Sequence, residues 1–183
     1  MATGCILVRG DLLQPPSKWP LEKPSGTKSI ALVVKPHIES GTPPERAEKI
    51  THLVEGQAQK AYTDSTLFTQ VSVKAEPSDV IADIRTSEDS NNALNFISGF
   101  ICGYSMGIIP AYGKATVTMQ TVFRDASGNE MGSISKSESV SIWMQLFLVA
   151  AMPFRDDMNA VMREIYYDLN RVTLDEARTL GYL

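Results

Sequence analysis

The apolar positions of this chain change their spacing several times, and each change marks an element. Ser29–Lys35 (SIALVVK) is a β-branched and aliphatic run of the buried-strand type. From Ala47 the spacing switches to three and four: Ala47, Ile50, Leu53, Val54, Ala58 and Ala61 form one stripe of a long helix. Thr42-Pro43-Pro44-Glu45 predicts its start, with Thr42 as the cap, Pro43 at the first helical position and Glu45 closing a capping box. Phe68–Lys74 (FTQVSVK) and Asp79–Thr86 (DVIADIRT) then alternate with a period of two. A strand, a long helix and a strand in that order predict a parallel crossover. Lys114–Arg124 and Glu130–Ser141 read as two strands joined by the hairpin turn Asp125-Ala126-Ser127-Gly128-Asn129. A last amphipathic helix places Phe154, Met158, Val161, Met162, Ile165 and Leu169 on one side, with Asp156 and Asp157 favouring its dipole. Thr173-Leu174-Asp175-Glu176 predicts a capping box that opens a short final helix, ended by Gly181.

Two stretches fit neither period. Residues 93–110 (ALNFISGFICGYSMGIIP) and 140–154 (VSIWMQLFLVAAMPF) contain no charged residue and flank the predicted hairpin. In the first, Gly99, Gly103 and Gly107 recur at spacing four, a bare stripe along which another helix approaches to backbone contact. A glycine in a helix interior costs about 1 kcal/mol, so three together need a packing reason. Phe96, Phe100 and Ile108 cover the other faces, and a helix apolar all round is either deeply buried or in lipid. The run has about the shortest length that spans a bilayer. In the second, Trp143 sits where an interfacial anchor would, followed by Leu146 and Phe147. Phe96, Gly99, Phe100, Gly103, Gly107, Ile108, Trp143, Leu146 and Phe147 are therefore the candidate residues for membrane or subunit contact. The alternative is a plain core, with Cys102 a small buried hydrophobe.

Residues 1–28 read differently again. Pro15, Pro16, Pro20 and Pro24 interrupt any helix or central strand, which predicts an extended tether ahead of a single domain over residues 29–183. From Cys5 to the first strand such a tether would span roughly 60–70 Å. Composition narrows the function. With 183 residues, 43% apolar, the chain is long enough for one self-sufficient core. A net charge of −4 without any Lys/Arg block excludes a nucleic-acid partner, which demands a basic face. Two distant cysteines and two histidines supply neither a disulfide framework nor a metal spacing, so no metal or cofactor is expected. No nucleophile elbow, phosphate loop, dinucleotide fingerprint or zinc-protease motif occurs. No catalytic residue is assigned, and the expectation is a protein that is not an enzyme.

Ser133, Ser135, Ser137, Ser139 and Ser141 fall on one face of the predicted return strand, opposite Ile134, Lys136, Glu138, Val140 and Ile142. A membrane-spanning hairpin with its serines toward water would turn Lys136 into lipid, at up to about 2–4 kcal/mol. The hairpin is expected in the domain's own sheet instead.

Ala2-Thr3-Gly4-Cys5 resembles a bacterial lipobox, in which small residues precede a cysteine that receives diacylglycerol; the reading expects an apolar targeting stretch ahead of it. Together with the strand SIALVVK, the capped helix, Leu67-Phe68-Thr69-Gln70-Val71 and Ser78-Asp79-Val80-Ile81-Ala82-Asp83-Ile84, the layout resembles small bacterial outer-membrane lipoproteins. Their α+β domain is similar to the N-terminal domain of the Tol translocation protein. The glycine-spaced run resembles the surface-exclusion lipoprotein of conjugative plasmids, and the layout more loosely resembles the curli-secretion type of ring lipoprotein. The β-hairpin between the two apolar runs departs from the surface-exclusion pattern. The resemblance implies acylation, palmitate included, at Cys5, an outer-membrane location with the domain in the periplasm, and partners that are further copies of itself and other envelope proteins. The fold expected is α+β, a mixed, largely antiparallel sheet of about five strands with helices mainly on one face. The function expected is a structural or assembly component of an envelope complex; the alternative is a soluble or periplasmic binding module for an apolar ligand or partner protein.

Overall fold

A computed structural model describes residues 4–22, 28–73, 76–90, 92–106, 108–145 and 158–183. Six strands and three helices follow in the order β1 (Gly4–Arg9), β2 (Lys28–Lys35), α1 (Pro44–Asp64), β3 (Phe68–Ser72), β4 (Val80–Ser90), α2 (Asn92–Tyr104), β5 (Ala111–Asp125), β6 (Glu130–Gln145) and α3 (Met158–Thr179). They form one sheet in the order β1-β6-β5-β4-β2-β3. β2 pairs in parallel with β3 and β4, as a strand–helix–strand crossover requires, and the remaining pairs are antiparallel. The fold class is α+β, and the sheet is mixed and mostly antiparallel.

The period-two pattern of each strand turns one face toward α1 and α3, which pack on each other and on the sheet. Ile30 and Leu32 of β2, Ala82 and Ile84 of β4, and Met119 and Phe123 of β5 are buried there. They meet Val54, Ala58 and Tyr62 of α1 and Ile165, Leu169 and Leu174 of α3. Ser133 and Ser135 of β6 lie on the opposite, open face. Along it Ser137 exchanges a hydrogen bond with Thr118 at 2.8 Å.

Several local expectations are corrected. The tether does not describe residues 4–22. β1 is an edge strand on β6, and Leu13 and Leu21 are buried in the core. Prolines 15, 16 and 20 shape the loop that carries these leucines rather than freeing it. Gly10 makes the exit from β1 possible: its N–H donates to Ser139 O at 2.8 Å, and a Cβ there would lie 1.8 Å from Ser139 Oγ. At the start of α1 the cap position is Pro43, with no side-chain capping bond, and the first helical residue is Pro44. Thr42 N–H donates instead to Glu39 O at 3.1 Å, and Pro43 has no side-chain oxygen with which to cap the first amides. The predicted break at Thr173 is absent. Thr173 is buried inside α3, and its hydroxyl donates to Leu169 O at 2.8 Å, satisfied within the helix it was expected to start. Gly181, at φ +76°, ends the chain of helical bonds, with Tyr182 N–H donating to Ala177 O at 2.9 Å. The beginning of the second apolar run, through Gln145, is the end of β6; its remainder, with Asp156 and Asp157 after it, lies outside the described residues.

Candidate functional site

The register of three strands brings the candidate residues to one end of the sheet. β1 runs antiparallel to β6 with Cys5 beside Met144, and Ala111 at the start of β5 lies beside the same Met144. α2 covers this end from the core side. A Cβ on Gly113 would meet Asn95 Oδ1 at 3.3 Å, and Cys102 Sγ lies 3.7 Å from Met144 O. Cys102 is thus a buried free thiol. Ser98 Oγ accepts from Tyr112 N–H at 2.6 Å, and Gln145 Nε2 donates to Ile108 O at 3.2 Å.

The outward side of this end is apolar. Phe100 is 67% exposed, Tyr104 87% and Ile108 63%, joined by Ile97, Met106 and Ile109. On the open sheet face Trp143, 42% exposed, packs against Tyr112 with ring centroids 4.7 Å apart. Monomeric proteins rarely leave a contiguous apolar surface of this kind without a use.

Of the candidates, Phe96, Gly99, Phe100 and Gly103 fall on α2, Ile108 on the turn after it and Trp143 on β6. Gly107, Leu146 and Phe147 lie outside the described residues. A Cβ on Gly99 or Gly103 would meet nothing within 4 Å, so this stripe packs against no other part of the chain described here. Tyr112, Val8 and Met144 belong to the same surface and went unnoticed in the sequence. The available signal was weak, since only the pairing of Tyr112 with Trp143 and of Val8 with Ser141 gathers them.

A buried charge cluster ties β1 down just inside this end. Glu138, fully buried on β6, accepts from Arg9 Nε at 2.8 Å, from Leu12 N–H at 2.9 Å and from its neighbour Ser139 N–H at 2.9 Å. Arg9 also donates from Nη1 to Asp168 Oδ2 of α3 at 2.7 Å. Burial alone would push the Glu138 carboxyl up; the Arg9 guanidinium and the converging amides outweigh it and hold the carboxyl below its ordinary value.

No protein-family model matches the sequence, and no curated protein matches it significantly. Among solved structures the chain is similar to PelC dodecamers from Paraburkholderia phytofirmans. One is 7% identical at a TM-score of 0.35, over 93% of this chain and 97% of that one. A point variant of the same protein is 8% identical at 0.33, over 93% and 98%. A likeness this weak carries no argument about assembly or activity.

The other surface features differ in character. Among the described residues no group of His, Cys, Asp and Glu is arranged to hold a metal ion. No described helix is long and apolar enough to cross a membrane. A cleft of about 290 Å³ lies among Ser17, Lys18, Glu22, Asp175 and Arg178, and one of about 320 Å³ among Gln57, Lys60, Arg163, Glu164 and Tyr167. Charged side chains line both, with Pro16 and the buried Leu21 also lining the first.

Proposed function

We propose that this protein is a lipid-anchored component of the bacterial cell envelope, acylated at Cys5 and held at the outer membrane with its domain in the periplasm. It acts as a structural or assembly part of a larger complex, associates with further copies of itself, and catalyses no reaction. The observation that carries the reading is the convergence at one end of the molecule. The strand that bears Cys5 starts beside the exposed apolar surface of α2, Tyr112 and Trp143.

With β1 in the sheet, the anchor would not work through a long tether. Cys5 lies four residues before Arg9, so a pull on the acyl chains passes through β1 into the Arg9–Glu138–Asp168 cluster, and from there into β6 and α3. Such an anchor holds the domain close to the bilayer in one orientation. Each buried CH₂ of the acyl chains contributes about 0.8 kcal/mol, so several chains hold firmly.

The intact mass of protein taken from its native membranes in detergent tests the anchor. A mass that starts at Cys5 and carries diacylglyceryl and N-acyl groups supports it; an unmodified N-terminal peptide containing Cys5 overturns it. Sedimentation of the detergent-solubilised protein tests self-association, and a monomer at micromolar concentration removes that part of the reading.

A further inference from the structure

We infer that the apolar end of the sheet is itself a bilayer-insertion surface, one that enters the lipid interface without any acyl chain. The inference shares the membrane of the proposed function but not its anchor at Cys5.

Three observations choose lipid as the occupant. The first is where charge begins. On β1 the first charged residue is Arg9, beside Val140; on β5 it is Lys114, beside Ser141. On β4 the last is Asp89, beside Thr116, which in turn faces Ser139 of β6; on β6 itself it is Glu138. Four strands therefore start to carry charge at nearly the same height. Below that line β6 continues from Ser141 to Gln145 without charge, a depth of roughly 14 Å at about 3.4 Å per residue. α2 and the turn after it carry no charge either. Interfacial segments bury to about 5–10 Å, so the charge-free zone is deep enough to keep the ionised groups of these four strands in water.

The second observation is that apolar side chains emerge around the end rather than from one side of it. Phe100 and Tyr104 project from the helix on the core side, whereas Tyr112 and Trp143 lie on the opposite face of the sheet. A flat protein partner covers one such side; a fluid surrounds both. The third is that polar groups of the turn after α2 find partners inside this end. Ser105 Oγ donates to Cys102 O at 3.1 Å and accepts from Ile109 N–H at 3.0 Å. Ile108 N–H donates to Ser105 O at 3.1 Å, and its carbonyl accepts from Gln145 Nε2. Groups satisfied in this way do not resist transfer out of water. The strands then stand away from the bilayer, and the Asp125–Asn129 turn points into the periplasm.

The test uses the full chain with Cys5→Ser, which cannot be acylated, and Trp19→Phe, which leaves Trp143 as the sole tryptophan. It is mixed with phosphatidylcholine vesicles whose acyl chains carry bromine at a shallow or a deep position. Insertion predicts that Trp143 emission is quenched, more by shallow bromine than by deep. Phe100→Ser with Tyr104→Ser, both exposed and so compatible with folding, should weaken partitioning by about tenfold or more; circular dichroism checks that the variant is folded. Trp143 left unquenched at saturating lipid overturns the inference. So does shielding of Trp143 by concentration-dependent dimerisation without lipid, which would assign the surface to a second copy. Because this chain lacks the Cys5 thiol, the result is independent of the intact-mass measurement that decides acylation.

Discussion

Removing the Glu138 carboxylate should release β1 from the sheet. In Glu138→Ala, Arg9 keeps Asp168 and, at 3.9 Å, Glu164 as charge partners, and the Leu12, Leu13 and Ser139 amides lose an acceptor. Deleting one partner of a buried ion pair costs about 3–5 kcal/mol, and each buried donor left without an acceptor about 1–3 kcal/mol before water enters. Water reaches this edge strand readily, so the net loss should be about 3–5 kcal/mol. Glu138→Gln keeps an acceptor for the amides but not the charge, and should lose about 1–3 kcal/mol. Urea unfolding reads the global loss, and amide exchange over residues 5–13 reads its location, with β1 exchanging faster than the rest of the sheet. The pH dependence has a definite sign. The folded-state pKa is depressed, so the carboxylate's contribution is present above the ordinary glutamate value of about 4.3 and is lost as pH falls through the lower folded value. Wild-type stability should therefore fall in that acid window more steeply than that of Glu138→Gln. A loss below about 1 kcal/mol in Glu138→Ala, with β1 amides still protected, would refute the claim that this cluster holds the strand.

Gly10→Ala should destabilise the fold by about 1–3 kcal/mol, because its Cβ would collide with Ser139 Oγ. Adding Ser139→Ala should restore part of the loss; strict additivity in chemical denaturation would show that the two residues do not meet. Tyr62 is fully buried and its hydroxyl finds no hydrogen-bond partner among the described residues. Tyr62→Phe should thus be neutral or stabilising by up to about 1 kcal/mol, and a clear drop in Tm would reveal a partner for that hydroxyl. Gly181→Ala forces a side chain onto φ +76° and should cost about 1–2 kcal/mol, read as early fraying of the last turn of α3 by amide exchange.

Local pattern was enough for the elements whose environment repeats along the chain. SIALVVK is β2, the three-four stripe from Ala47 is α1, and the turn at Asp125 joins two strands, because strand alternation and helical periodicity are written in neighbouring residues. The composition of residues 93–110 left a contact surface and a plain core both open, and in the structure α2 exposes Phe100 and Tyr104 while burying Cys102. What the chain alone did not yield are the facts that depend on distant residues meeting. Proline density made residues 4–22 look like a tether, since nothing nearby shows that Arg9 will find Glu138 and Asp168, respectively 129 and 159 positions away. The same holds for Thr173, a sound cap by its own sequence, which burial against the core keeps within one long helix. Cys5, Tyr112 and Trp143 share one end of the molecule only through the register of β1, β6 and β5, and register is a property of paired strands that no single segment contains.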